Sequence, residues 1–160
     1  MRNATTIFIF IAGVALASTS PASAGPAEDA TAAVTGVLDK FNGDDIKAFA
    51  AAHRDGAVII DEFPPYQWGG PGSIKQWGAD YTKDADARGI KAGRIDYAKP
   101  IQASSDGTTA YIVLPTTYRF EQQGKKMAGK GSMTFVMAKA GSEWKIASWT
   151  YSGATPTPVN

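Results

Sequence analysis

Between Glu28 and Asn42 the apolar side chains Ala30, Val34, Val37, Leu38 and Phe41 recur at helical spacing, and Gly43 stands where such a helix would end. Asp44 or Asp45 can cap a second, short helix carrying Ile46, Phe49 and Ala50, and Asp55-Gly56 then reads as a turn. Ala57 to Phe63 is short and β-branched, which predicts a first strand closing on two carboxylates, Asp61 and Glu62. A Pro/Gly/aromatic loop from Pro64 to Gly72 follows. Ser73 can cap a third helix from Ile74 to about Arg88, with Ile74, Trp77 and Tyr81 on one stripe and Gly89 at its end. From there the pattern switches to strands: Ile90 to Ser104, Thr108 to Gln122, Lys126 to Lys139 and Trp144 to Gly153. Ser105-Asp106-Gly107, Gln123-Gly124-Lys125 and Ala140-Gly141-Ser142 join them as hairpin turns.

Three helices followed by a run of long strands specify an α+β domain, a strongly curved antiparallel sheet wrapping the first helix and leaving a cone-shaped hollow. Gly93, Pro100 and Pro115 interrupt the long strands and suggest the bulges or bends that give the curvature. The tail from Ala154 to Asn160 carries no apolar pattern and is expected to be disordered.

Residues 1–24 read as an address rather than as structure. Arg2 supplies a positive start, Ile7 to Ala17 an apolar core and Ala22-Ser23-Ala24 a small-residue cleavage pattern, so a signal peptide removed before Gly25 is expected. That predicts export, to the periplasm or the medium, and no membrane association after cleavage. Residues 25–153 then form one domain of ordinary size. Losing Arg2 from 16 Lys plus Arg balances the mature chain against its 15 Asp plus Glu, and the charges are scattered. Nucleic acid is therefore not an expected partner, because phosphate binding needs a concentrated basic field. With no Cys and a single His, neither disulfides nor a transition-metal site is expected. There is no phosphate-cradling glycine loop, and no cofactor is called for.

The element order resembles the nuclear transport factor 2-like superfamily, the cone fold of ketosteroid isomerases and polyketide-cyclase-like proteins. The residues carrying the likeness are Asn42-Gly43-Asp44, Asp55-Gly-Ala-Val-Ile-Ile-Asp61, Gly72-Ser73-Ile74 and Trp144-Lys-Ile-Ala-Ser-Trp149. The resemblance implies a fold spanning nearly the whole mature chain and a homodimer formed through the outer sheet face. It does not license an activity, since one fold hosts many. Asp61 falls where ketosteroid isomerases keep the carboxylate that shuttles a proton. Their oxyanion-hole tyrosine falls at about Gly36 and their protonated aspartic acid near Phe135, and neither residue can donate a hydrogen bond. Losing one such donor costs about 3 to 4 kcal/mol of transition-state stabilisation, which counts against classical steroid isomerisation.

Asp61 is the leading chemical candidate, because an acid at the inner end of an apolar strand is partly desolvated and its pKa rises toward that of a useful base. The competing reading is a strand-end carboxylate held by loop amides or facing solvent. Glu62 alternates to the opposite face. Tyr66 and Trp68 lie in the loop and can form a lid; Trp77 and Tyr81 sit four apart on the third helix. On the sheet, Tyr97, Thr116, Tyr118, Met133, Phe135, Trp149 and Tyr151 can line the cone according to strand parity, or simply fill the core. His53, at the end of the second helix beside Arg54 and Asp55, suits the helix dipole better than catalysis. Three functions follow: a binder of a small apolar or aromatic molecule anchored by Asp61; a cofactor-free isomerase, cyclase or dehydratase with Asp61 as base and Tyr66 or Tyr118 as donor; or a dimeric interaction protein.

Overall fold

The computed structural model describes residues 25–160; the expected signal peptide lies outside the described residues. Helix α1 spans Pro26–Asn42, starting on a proline and carrying Glu28 and Asp29 in its first turn, where the helix dipole favours acids. Its buried face is Ala30, Val34, Val37, Leu38 and Phe41. Helix α2, Ile46–Ala51, is capped by Asp45, whose carboxylate accepts the Ala48 N–H at 3.0 Å. Strand β1, His53–Ile60, starts earlier than the sequence suggests. Gly56 does not turn the chain: with φ of +73° it is absorbed as a bulge, where the register against its neighbours shifts. Asp61 therefore stands just past the strand rather than within it.

The loop contains a further short strand, β2, Gln67–Gly70, which pairs with β1 through Trp68 opposite Ile59. Helix α3 spans Ser73–Arg88, between two glycines with left-handed torsions, Gly72 and Gly89. Ser73 is not its cap. Its buried hydroxyl donates instead to the Ala57 carbonyl at 2.6 Å, tying the helix to β1. The expected long strand after α3 divides into β3, Ile90–Tyr97, and β4, Gln102–Ser105, on either side of a segment containing Pro100. Both pair with one edge of β5, Thr109–Gln122. Strands β5 and β6, Lys125–Ala140, run in unbroken register from Thr109 opposite Ala138 to Gln122 opposite Lys125, so Pro115 introduces no bulge. A bulge does occur in β3 between Lys91 and Arg94, at Gly93.

Strand β7, Glu143–Gly153, pairs antiparallel with β6 and parallel with β1. The curved sheet is thus mixed, in the order β2-β1-β7-β6-β5-β3. The tail is not without structure: β8, Thr157–Pro158, pairs with β6 at Met127 and Ala128. One sheet face packs Ile59, Ile112, Leu114, Phe135, Met137 and Ile146 against α1. Asn42 fastens the end of α1 to β3 by bonding both the N–H and the carbonyl of Ile95, at 2.7 and 2.8 Å.

Candidate functional site

The inner sheet face and the helices enclose a cavity of about 120 Å³. Helix α1 contributes Leu38 and Phe41, α2 contributes Phe49, α3 contributes Trp77 and Tyr81, and the sheet contributes Tyr118, Met133, Phe135, Trp149 and Tyr151. The aromatic rings pack in sequence around it. Trp77 stacks on Tyr81 with centroids 5.3 Å apart, meets Trp149 edge-on at 5.3 Å, and lies 5.6 Å from Phe49. Such offset and edge contacts hold a wall rigid by more than area alone.

Asp61 lines this cavity from the segment after β1. Its backbone N–H bonds the Tyr66 carbonyl at 3.1 Å, which fixes the turn. Its carboxylate accepts the Trp77 indole N–H at 3.0 Å and the Glu62 N–H at 2.8 Å. Burial raises its pKa from 3.8 to about 6, against the lowering effect of those two hydrogen bonds. Glu62 is exposed at the cavity's rim and accepts the Gly153 N–H at 2.6 Å.

His53 directly follows the C-cap of α2 and opens β1; it is buried and lines the same cavity. Because the Trp149 indole can only donate, its 3.1 Å bond makes His53 Nε2 an acceptor, so Nδ1 carries the proton and donates to the Phe49 carbonyl at 2.9 Å. Burial lowers its pKa from 6.5 to about 4 and keeps the ring neutral. Across the cavity the Tyr81 and Tyr118 hydroxyls bond each other at 2.9 Å. Burial raises the pKa of both phenols, and that of Tyr151 to about 12, with the Glu62 and Asp61 charges adding to the last.

Four of the residues expected at the site lie outside this lining. Tyr66 is 57% exposed, with φ of +72°, so the loop offers the site its carbonyl rather than a lid. Trp68 is buried, but against Phe63, and its indole donates to Asp80 of α3 at 2.8 Å, outside the cavity lining. Tyr97 sits exposed at the end of β3 and donates to Asp39 at 2.9 Å. Thr116 is buried opposite Gly131, beyond the cavity's end. Sequence reasoning in turn placed Phe41, Phe49 and His53 only as helix residues. The signal was there for the two phenylalanines, since each is the bulkiest side chain on its helix's apolar stripe.

The SnoaL-like domain family matches residues 30–156. No curated protein sequence matches the chain. Among solved structures, a ketosteroid isomerase-like protein from Erwinia carotovora atroseptica is 19% identical, covering 81% of this chain and 97% of its own, with a TM-score of 0.62. The CaMKII hub of S. rosetta is 17% identical over 82% of this chain and 99% of its own, with a TM-score of 0.65. A type 2 hexachlorocyclohexane dehydrochlorinase, LinA, is 10% identical over 83% and 86%, with a TM-score of 0.64. At these identities the structures share the fold alone. The family match covers most of the described residues, with Asp61, His53 and the aromatic cavity all inside it, and the chain belongs to the SnoaL-like domain family of the nuclear transport factor 2-like superfamily.

Proposed function

We propose that this is an exported binding protein for a small, apolar or aromatic molecule, held in the aromatic cavity with Asp61 as its polar anchor. The observation that carries the reading is a half-buried carboxylate on the wall of a cavity of about 120 Å³ lined mostly by aromatic and aliphatic side chains, with Glu62, Asp84 and Arg88 as its other charged groups. Cavities of about 150 Å³ with such linings admit a single benzene ring. The cavity therefore has the size for one ring and falls below the roughly 300 Å³ at which drug-sized pockets begin. Titration of single-ring compounds against the cavity tryptophans, Trp77 and Trp149, tests the reading: a series in which no ring compound perturbs their fluorescence or raises the melting temperature sinks it.

A second reading has one observation in its favour. Asp61, with its pKa raised to about 6, is mostly ionised at neutral pH yet basic enough to take a proton from a ligand carbon and return it elsewhere. Tyr118 can donate to the oxygen on which charge builds. This is a cofactor-free isomerase or lyase reading, and it requires Asp61→Asn to abolish turnover while leaving binding of a non-reacting ring within a few fold. Self-association is supported by the outer sheet face. Val58, Ile60, Thr150, Thr134, Val136, Val113 and Tyr111 register side by side across four strands without a charge among them.

A further inference from the structure

We propose that the cavity takes the methylated ammonium group of an organic cation, with Asp61 as its counter-charge and the rings of Phe41, Phe49, Trp77, Tyr81 and Trp149 as a cage around the methyl groups. This rests on the cavity's being a binding site anchored by Asp61, and adds the charge of the ligand and the shape of its bound end.

The shape follows from the angles between the walls. A flat ring is held best by a face that lies along it, yet Trp77 and Trp149 stand at 86° to each other, Phe41 and Tyr81 at 69°, and Phe41 and Phe49 at 54°. Trp77 and Tyr81 are near parallel, at 20°, but with centroids 5.3 Å apart they stack on each other and admit nothing between them. Walls inclined in this way touch a rounded group on several sides. A trimethylammonium head is such a group. It is no larger than a benzene ring, which a cavity of about 150 Å³ admits, and its charge is attracted to aromatic rings.

Charge points the same way. Among the described residues lining the cavity, Asp61, Glu62 and Asp84 are acidic and Arg88 alone is a permanent cation. Burial keeps His53 neutral and the phenols of Tyr81, Tyr118 and Tyr151 protonated. Arg88 is engaged by Asp84 at 3.0 Å, and neither Asp61 nor Glu62 has an ion-pair partner among the described residues. Asp61 is mostly ionised at neutral pH, and a charge on an apolar wall is costly until an opposite charge meets it. An anionic ligand would add to that cost, whereas a cation removes it. A methylated nitrogen also suits the wall better than a primary ammonium. The latter brings several N–H donors, while His53 already spends both ring nitrogens on Trp149 and Phe49, and aromatic rings accept weakly. A quaternary nitrogen has no donor to leave unsatisfied.

Choline and neohexyl alcohol separate the outcomes, because they differ only in N⁺ against carbon at the centre of the methyl cluster. Calorimetric titration at neutral pH is performed on the wild type, Asp61→Asn and Arg88→Gln. The wild type should bind choline at least about tenfold more tightly than the alcohol. Asp61→Asn should lose about tenfold in choline affinity, with the alcohol changed by less than about twofold. Arg88→Gln should tighten choline by about twofold and leave the alcohol unchanged, since it alters only the field at the mouth. Arg88 is exposed at the rim, so this arm stands whether or not Asp61→Asn folds. Equal affinities, tighter binding of the alcohol, a choline preference that survives in Asp61→Asn, or choline bound no more tightly by Arg88→Gln than by the wild type would each overturn the cation assignment while leaving the cavity reading intact. Binding of toluene with neither of the two would do the same. Failure of all three to bind the wild type would overturn the cavity reading itself, and this assignment with it.

Discussion

Replacing Asp61 with asparagine should expose an acid instability that the wild-type protein conceals. Two of the titratable groups that line the cavity, Asp61 and His53, are linked to folding with opposite signs. Burial raises Asp61 from 3.8 to about 6, so the folded state holds that proton more tightly than the unfolded chain. Its contribution to stability is full below the unfolded value and is lost as pH rises through about 6. Burial lowers His53 from 6.5 to about 4, so its contribution is full above the unfolded value and is lost as pH falls toward about 4. Between about pH 7 and about pH 4.5, linkage gives a gain of about 2 kcal/mol from Asp61 and a loss of about 2.5 kcal/mol from His53. The two nearly cancel. In Asp61→Asn the new amide does not titrate, and its single carbonyl can satisfy only one of the two donors, from Trp77 and Glu62, that the carboxylate accepts. That lost bond offsets the variant by a constant at all pH values, whereas its slope should be that of His53 alone. Urea unfolding followed by tryptophan fluorescence at several pH values measures both. The variant should lose about 2 kcal/mol more than the wild type on going from about pH 7 to about pH 4.5, every other carboxylate being common to the two proteins. Parallel profiles would refute the argument, because they would mean that Asp61 titrates as an ordinary surface acid.

Ser73→Ala should cost about 1 to 2 kcal/mol in urea unfolding by leaving the buried Ala57 carbonyl without its hydroxyl donor; a change within error would show that the carbonyl finds another partner. Asp45→Ala should cost about 1 kcal/mol through loss of the Ala48 cap, and Asp45→Asn should restore most of it. If the uncharged patch on the outer face pairs two copies, as proposed, the wild type should sediment as a dimer and Val58→Lys as a monomer of unchanged melting temperature; a monomeric wild type would refute the pairing, and a variant that stays dimeric would refute this interface. Ending the chain after Gly153 removes β8 and the Pro156 side of the cavity. A bound ring should then leave faster in exchange spectroscopy, and equal exit rates would mean that the tail does not close the cavity.

The parts of the fold that were legible are those written over a few residues. The α1 stripe follows from its own spacing. The hairpin tips follow from Gly107, Gly124 and Gly141, each of which carries a positive φ that few other residues accept. The parallel pairing of β1 with β7 was not legible. It joins Val58 to Ser148 across most of the chain, and nothing in either segment's alternation records the partner's direction. Gly56 misled for a related reason: a left-handed glycine serves a turn and a bulge equally well, and only the neighbouring strands decide between them.

The site divides along the same line. Alternation says which face a strand residue takes, and on that basis Tyr118, Met133, Phe135, Trp149 and Tyr151 meet around one space. It says nothing about depth along the strand, which is why Thr116 shares the inner face with Tyr118 and still falls beyond the cavity's end. Depth is set by what lies opposite, and here that is glycine. A Cβ at Gly131 would come within 3.1 Å of the Tyr151 ring, and one at Gly129 within 2.8 Å of the Ala154 carbonyl. Together with Gly93, where a Cβ would stand 2.7 Å from the Tyr118 hydroxyl oxygen, these positions let two phenols and the tail lie close against the sheet. The glycines lie beneath the cavity's lining rather than in it: Tyr118, Tyr151 and Pro156 line the hollow from the space that a Cβ at Gly93, Gly131 or Gly129 would need.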